Sequence, residues 1–242
     1  MTNLTEPDNA PQRLPLDQPS GASQLPTYKT VFAFYGLVVL AAVVSQYIIV
    51  SDWGGVLFPI ACVLPLIILR RPVAPKDDNL QSSASTVMKS LSDGLIVSVL
   101  FLVPFLLLVY FVPVFRDVSP KSEPYWSSWT EVLNDAFSML VSVAIFEELF
   151  FRGFMQDNLA RLLNDRKPIF GATLGRGYLL ACALFALPHV LSWGSKPLGL
   201  MTFFSSLVFG WLYAKRRCIA GAVICHTAFN VVPAVFHWII RY

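Results

Sequence analysis

The chain has 242 residues, 55% of them hydrophobic and only 14% charged, with a formal net charge of +3. So little charge among such long apolar runs excludes an ordinary soluble domain, and the absence of alternating ten-residue segments excludes a transmembrane β-barrel. The small positive surplus gives no reason to expect a nucleic-acid partner.

Residues 1–28 carry five prolines and no apolar run, which predicts a disordered cytoplasmic tail without a secretory signal. Hydropathy then predicts an all-α polytopic membrane protein with about seven transmembrane helices. They run over Thr30–Val50, a short Gly55–Leu69, Gly94–Phe115, Ser128–Leu163, Gly177–Trp193, Leu198–Ala214 and Ile219–Ile240. The chain divides into the tail, N-terminal helices and loops over 29–128, and a core over 129–242. Ser128-Trp129-Thr130-Glu131 reads as a capping box at the start of the fourth helix. Of the four cysteines, Cys62, Cys182 and Cys225 fall inside spans without CxxC spacing and read as small buried residues.

Alternating sides places 14 of the 18 Lys and Arg on the side of the N-terminus. The positive-inside rule makes that side cytoplasmic and puts the C-terminus outside. Trp53, Trp126, Trp129, Trp193 and Trp238 then fall at the outer interface and Trp211 at the inner one. Size and the lack of a signal peptide suggest a bacterial inner membrane.

The fourth span contains Ala144–Gln156, where an uncharged run leads into Glu147 and Glu148, followed by Arg152. Carboxylates in an apolar span cost several kcal/mol unless paired, so they are candidates for function. A helix ending here, with the acids already in the headgroup layer, is the competing expectation. Glu148 and Arg152 are four apart and can pair along one helix, while Glu147 points about 100° away. The fifth span carries Phe185 and His189, with Pro188 between them and the imidazole able to face the bundle interior. The seventh carries His226 and Asn230 on one helical face. At 1.5 Å per residue, Glu147 lies roughly 21 Å from Arg161, His189 roughly 20 Å from Arg176, and His226 roughly 14 Å from Arg217. The groups can therefore meet at one depth, provided the fourth helix continues to Leu163.

A carboxylate and an imidazole can hold and deprotonate a water, and a second imidazole with an amide can donate to an oxyanion. That chemistry is amide hydrolysis by activated water. A zinc version built on Glu147, His189 and His226 is the alternative, although His-Glu-x-x-His is missing. No Gly-x-Ser-x-Gly elbow is present. An immunity protein, a scaffold or a proton-coupled transporter could also use buried Glu and His, but the polar residues cluster in one half and no repeat is visible.

Glu147-Glu148-x-x-x-Arg152, Phe185-x-x-x-His189 and His226-x-x-x-Asn230 together resemble the three motifs of the CAAX protease and bacteriocin-processing (CPBP, Abi) family. The resemblance covers about Asn134 to Pro233 in family order. It implies an intramembrane endopeptidase acting on a membrane-associated protein or peptide within the lipid bilayer. The family is described both as metalloproteases and as glutamate-type proteases; the glutamate type, with no cofactor, is the expectation here because Asn230 suits an oxyanion role better than a zinc role. Prenylated or sorting-tagged C-termini are among the substrates the family takes. Glu147 and His189 would activate the water, and His226 and Asn230 would form the oxyanion hole. Glu148 belongs with the catalytic set and would support the site or assist, and Arg152 and Phe185 would support it. Neither substrate nor oligomeric state follows from the resemblance.

Overall fold

The computed structural model describes residues 26–47, 54–69, 84–111, 126–192 and 196–241. The expected tail (apart from its last residues), Arg70-Arg71, Arg116, Lys121, Trp53 and Trp193 lie outside them. The described residues form seven helical rods, as the hydropathy predicts, and one short hairpin that it does not. The rods are α1 (Tyr28–Tyr47), α2 (Gly54–Ile68), α3 (Ala84–Phe111), α4, α5 (Arg176–Ser192), α6 (Lys196–Arg216) and α7 (Ala220–Arg241). The hairpin pairs β1 (Lys167–Ile169) antiparallel with β2 (Ala172–Leu174).

α4 is one continuous run. It is α-helical over Trp129–Ser138, Ile145–Glu148 and Asp157–Leu163, with π-helical turns over Met139–Ala144 and Leu149–Gln156. Its start is the capping box. Ser128 accepts the Glu131 N–H, and Glu131 reaches back to accept the backbone N–H of Ser127 at 2.7 Å. Its end is the left-handed Asn164, at φ 45°. The helix therefore passes well beyond Arg152, which removes the alternative of a helix terminating at the acids. The i→i+5 turns on both sides of Glu147-Glu148 re-aim the side chains around them, a device common at functional sites.

α1 pairs with α2, α5 with α6, and α3 with α7. The α3–α7 crossing is set by small residues. A Cβ on Gly94 would meet the Gly221 backbone, and one on Gly221 would meet the Ser90 carbonyl. Ser90 Oγ accepts the Gly221 N–H at 2.9 Å and donates to the Cys218 carbonyl at 3.3 Å. Close backbone approach plus interhelical hydrogen bonds is how helices associate when no water drives them together. α3 begins ten residues before the expected Gly94, because the polar turns carrying Lys89 and Asp93 stay helical while their side packs on α6 and α7.

The stretches Tyr28–Ser45 and Ala84–Leu107 are long and apolar enough to cross a membrane. On α3, Leu95, Ile96, Val99 and Leu100 are each more than half exposed, a surface that water would penalise and acyl chains would not. The core beneath is aromatic. Phe150, Phe151 and Phe154 of α4 pack with Phe185 of α5 and Phe209 of α6. At one end, Trp126 and Trp129 stack edge-on against Trp238.

Gly94→Val should lower the thermal unfolding midpoint in detergent, by the equivalent of about 1–3 kcal/mol, because two backbones must part. Gly36→Ala is the control, since nothing lies within 4 Å of its would-be Cβ. Equal midpoints for the two variants would contradict the tight crossing.

Candidate active site

The site starts from Glu148, a carboxylate with no exposed surface. Such a group must find partners inside the protein. Its Oε2 accepts from Arg152 Nε at 2.9 Å, one helical turn along α4. Its Oε1 accepts from His226 Nδ1 of α7 at 2.9 Å. A carboxylate so placed acts as acceptor, so Nδ1 is the nitrogen that donates and the ring orientation is fixed. The other nitrogen, Nε2, then faces Glu147 Oε2 at 3.7 Å. That gap is too long for a hydrogen bond, and Glu147 Oε2 accepts none among the described residues.

Arg152 is also wholly buried. Its Nη2 donates to Ser206 Oγ of α6 at 3.0 Å. Its guanidinium lies over the Phe185 ring at 5.1 Å and the Phe209 ring at 5.9 Å. Phe209 stacks flat on His226, with centroids 4.8 Å apart and planes 14° apart, and Phe185 meets the same imidazole edge-on. The two phenyl rings thus hold both the cation and the imidazole.

His189 is half-buried on α5, stacked on Phe185 at 5.2 Å. Its Nδ1 lies 3.0 Å from the Phe185 carbonyl. A carbonyl only accepts, so Nδ1 carries a proton there. Asn230 sits one turn past His226 on α7 and is exposed. The structure therefore brings Glu147, Glu148, Arg152, Phe185 and His226 into one contact network. It attaches His189 through Phe185, and Asn230 is exposed, with no hydrogen bond tying it to this network among the described residues. The imidazole facing Glu147 at 3.7 Å is His226.

Among the described residues, no three His, Cys, Asp or Glu side chains gather as a metal ion needs. Glu148 has both oxygens committed to Arg152 and His226. The trio Glu147, His189 and His226 does not fit a zinc site as it stands.

Several residues of this network carry no sequence signal. Ser206 and Phe209 are ordinary in an apolar helix, and only the packing of α6 shows what they touch. Further along α4, Gln156 donates to the Gly210 carbonyl at 3.0 Å. Asp157 takes a bidentate pair from Arg217, at 2.7 and 2.8 Å, and the Tyr213 hydroxyl at 2.8 Å. This pair, its carboxylate buried and its guanidinium one-third exposed, together with the Tyr213 hydroxyl ties α4 to the end of α6. Glu147 lies ten residues before Asp157 on α4, roughly 15 Å along the helix.

Residues 129–232 match a family model described as Rce1-like, "Type II CAAX prenyl endopeptidase Rce1-like". No curated protein and no solved structure matches the chain. The matched family is membrane-embedded, and with helices apolar enough to cross a bilayer the chain is an integral membrane protein.

Glu147 and Glu148 should differ sharply in what they do for stability. Arg152→Met leaves Glu148 as a buried charge without its cation and should cost about 3–5 kcal/mol. Glu147→Gln removes no hydrogen bond at Oε2 and should cost less than ~1 kcal/mol. Unfolding midpoints in detergent decide; a Glu147→Gln protein as unstable as Arg152→Met would contradict the assignment.

Proposed function

We propose, on the match of residues 129–232 to the Rce1-like CAAX prenyl endopeptidase model, that this chain is an intramembrane endopeptidase of glutamate type. One observation carries the reading. Glu147 has an uncommitted oxygen 3.7 Å from the Nε2 of a histidine that Glu148 holds rigidly from the other side. A water on Glu147 would sit beside a fixed imidazole that Phe185 and Phe209 pack against.

The positions of Glu147, Glu148 and His226 support the following reaction. Glu147 takes a proton from water as the oxygen attacks the peptide carbon. His189, with Nδ1 tied to the Phe185 carbonyl, presents Nε2 to the same water. As the tetrahedral centre forms, the new oxyanion takes hydrogen bonds from a protonated His226 Nε2 and from the Asn230 amide. Glu148 holds His226 in place throughout. Glu147 then returns the proton to the leaving nitrogen, the C–N bond breaks, and a carboxylic acid and an amine result. Asn230 is exposed one turn past His226, as suits a group that meets the substrate only when it arrives.

The substrate is a membrane-associated protein or peptide, and the family description favours a prenylated C-terminal tail. Seven crossings with a cytoplasmic N-terminus fit the described helices. Asp93 pairs with Lys215 and Arg216, and Asp157 with Arg217, so the basic residues gather at one end of α6. The tryptophan cluster of Trp126, Trp129 and Trp238 fits the outer interface.

Purified protein in proteoliposomes, given a quenched prenylated peptide, should show cleavage that Glu147→Ala and His189→Ala each lower by at least about 100-fold in kcat/KM. Asn230→Ala should lower kcat by about 100-fold with little change in KM. Strong chelation should leave the rate unchanged. Full activity in Glu147→Ala would overturn the mechanism.

A further inference from the structure

The hairpin between α4 and α5 carries an arrangement that the proposed reaction does not use. Ile169 pairs with Ala172, so the turn consists of Phe170 and Gly171 alone. Both have positive φ, at 48° and 73°. A two-residue turn of this kind favours Asn-Gly, and a bulky side chain in the left-handed region is strained. The Phe170 ring gains nothing from packing, being 87% exposed, and Ile169 beside it is 42% exposed. Strain held at an exposed aromatic tip points to something outside the protein that the ring meets.

Two observations say what that is. The first is level. The Phe170 carbonyl accepts from Trp211 Nε1 at 3.1 Å, and Lys215 lies over the Trp211 ring at 4.8 Å. A tryptophan beside the basic end of α6 marks the headgroup layer, so the tip is tied to the membrane–water interface. The second is charge. Arg166 and Lys167 flank the tip, both exposed, and neither side chain has an ion pair among the described residues. The nearby Asp165 is taken by Arg176, with guanidinium and carboxylate 2.6 Å apart. The Arg176 backbone N–H and guanidinium hold the Asp165 carboxyl below the usual carboxylate range, so it stays charged and committed to Arg176.

We propose that the Phe170 hairpin is an interfacial anchor. Phe170 and Ile169 insert at the headgroup–acyl boundary of an anionic leaflet, and Arg166 and Lys167 contact acidic phospholipid headgroups. The anchor rests on the cytoplasmic placement of this end and not on the peptidase reading. It joins α4, which bears Glu147 and Glu148, to α5, which bears His189.

The test places an environment-sensitive NBD label at Phe170→Cys, in a Cys218→Ser background, in full-length protein reconstituted into nanodiscs. One lipid set is phosphatidylcholine alone; the other contains one-third phosphatidylglycerol. The label should be shielded from aqueous iodide in the phosphatidylglycerol discs, with quenching at least about threefold weaker than for free label. That shielding should fall in phosphatidylcholine discs, and also when Arg166 and Lys167 are both replaced by Gln. Quenching equal to that of free label overturns the anchor. So does shielding that ignores lipid charge, or shielding that appears only when a prenylated peptide is added, which would make the tip a substrate contact. Peptidase activity does not enter any of these readouts.

Discussion

The structure depends on one buried carboxylate being shared. Glu148 accepts from Arg152 on its own helix and from His226 on another, and both partners are themselves buried. Withdrawing three ionisable groups from water costs several kcal/mol each unless every polar face is answered. Here the partners come from different rods: Arg152 Nη2 donates to Ser206 of α6, while its Nη1 finds no acceptor among the described residues, and His226 arrives on α7. Satisfying one charge thereby fastens three helices and leaves the imidazole with a single orientation.

That arrangement separates two adjacent glutamates into different tasks. Each oxygen of Glu148 is held by a partner, Arg152 on one side and His226 on the other. Glu147 points about 100° around the helix, has an oxygen without a hydrogen bond, and faces the far nitrogen of the same histidine. The aromatic rings serve both. Phe185 and Phe209 keep water from the ion pair and hold the imidazole flat, and Phe185 also carries His189 on its other contacts. A site assembled from rigid helical side chains needs little reorganisation when charge develops.

Membrane-style packing supports the rest. Gly94 and Gly221 let α3 and α7 touch backbone to backbone, and this holds the helix that carries His226 and Asn230. The Asp157–Arg217 pair ties α4 to the end of α6. The π-helical turns bracket the acids, and their effect is to let a helix with so many bulky phenylalanines turn its carboxylates inward while its other residues stay packed.

The sequence by itself determined the helical membrane class, the approximate limits of the rods, the capping box at Ser128, and which polar residues were too costly to be accidental. Those are local properties: hydropathy, helical period and the expense of an ionisable group in an apolar run. The tertiary structure alone decided that His226 faces Glu147 across 3.7 Å, that Ser206 and Phe209 touch the same buried network, and that Asp157 pairs with Arg217. It also decided that Phe170-Gly171 closes a hairpin where only a connection was expected. Each of these depends on how one rod is rotated and shifted against another. That rotation is set by many small contacts summed over whole helix faces, and no single residue pattern records it.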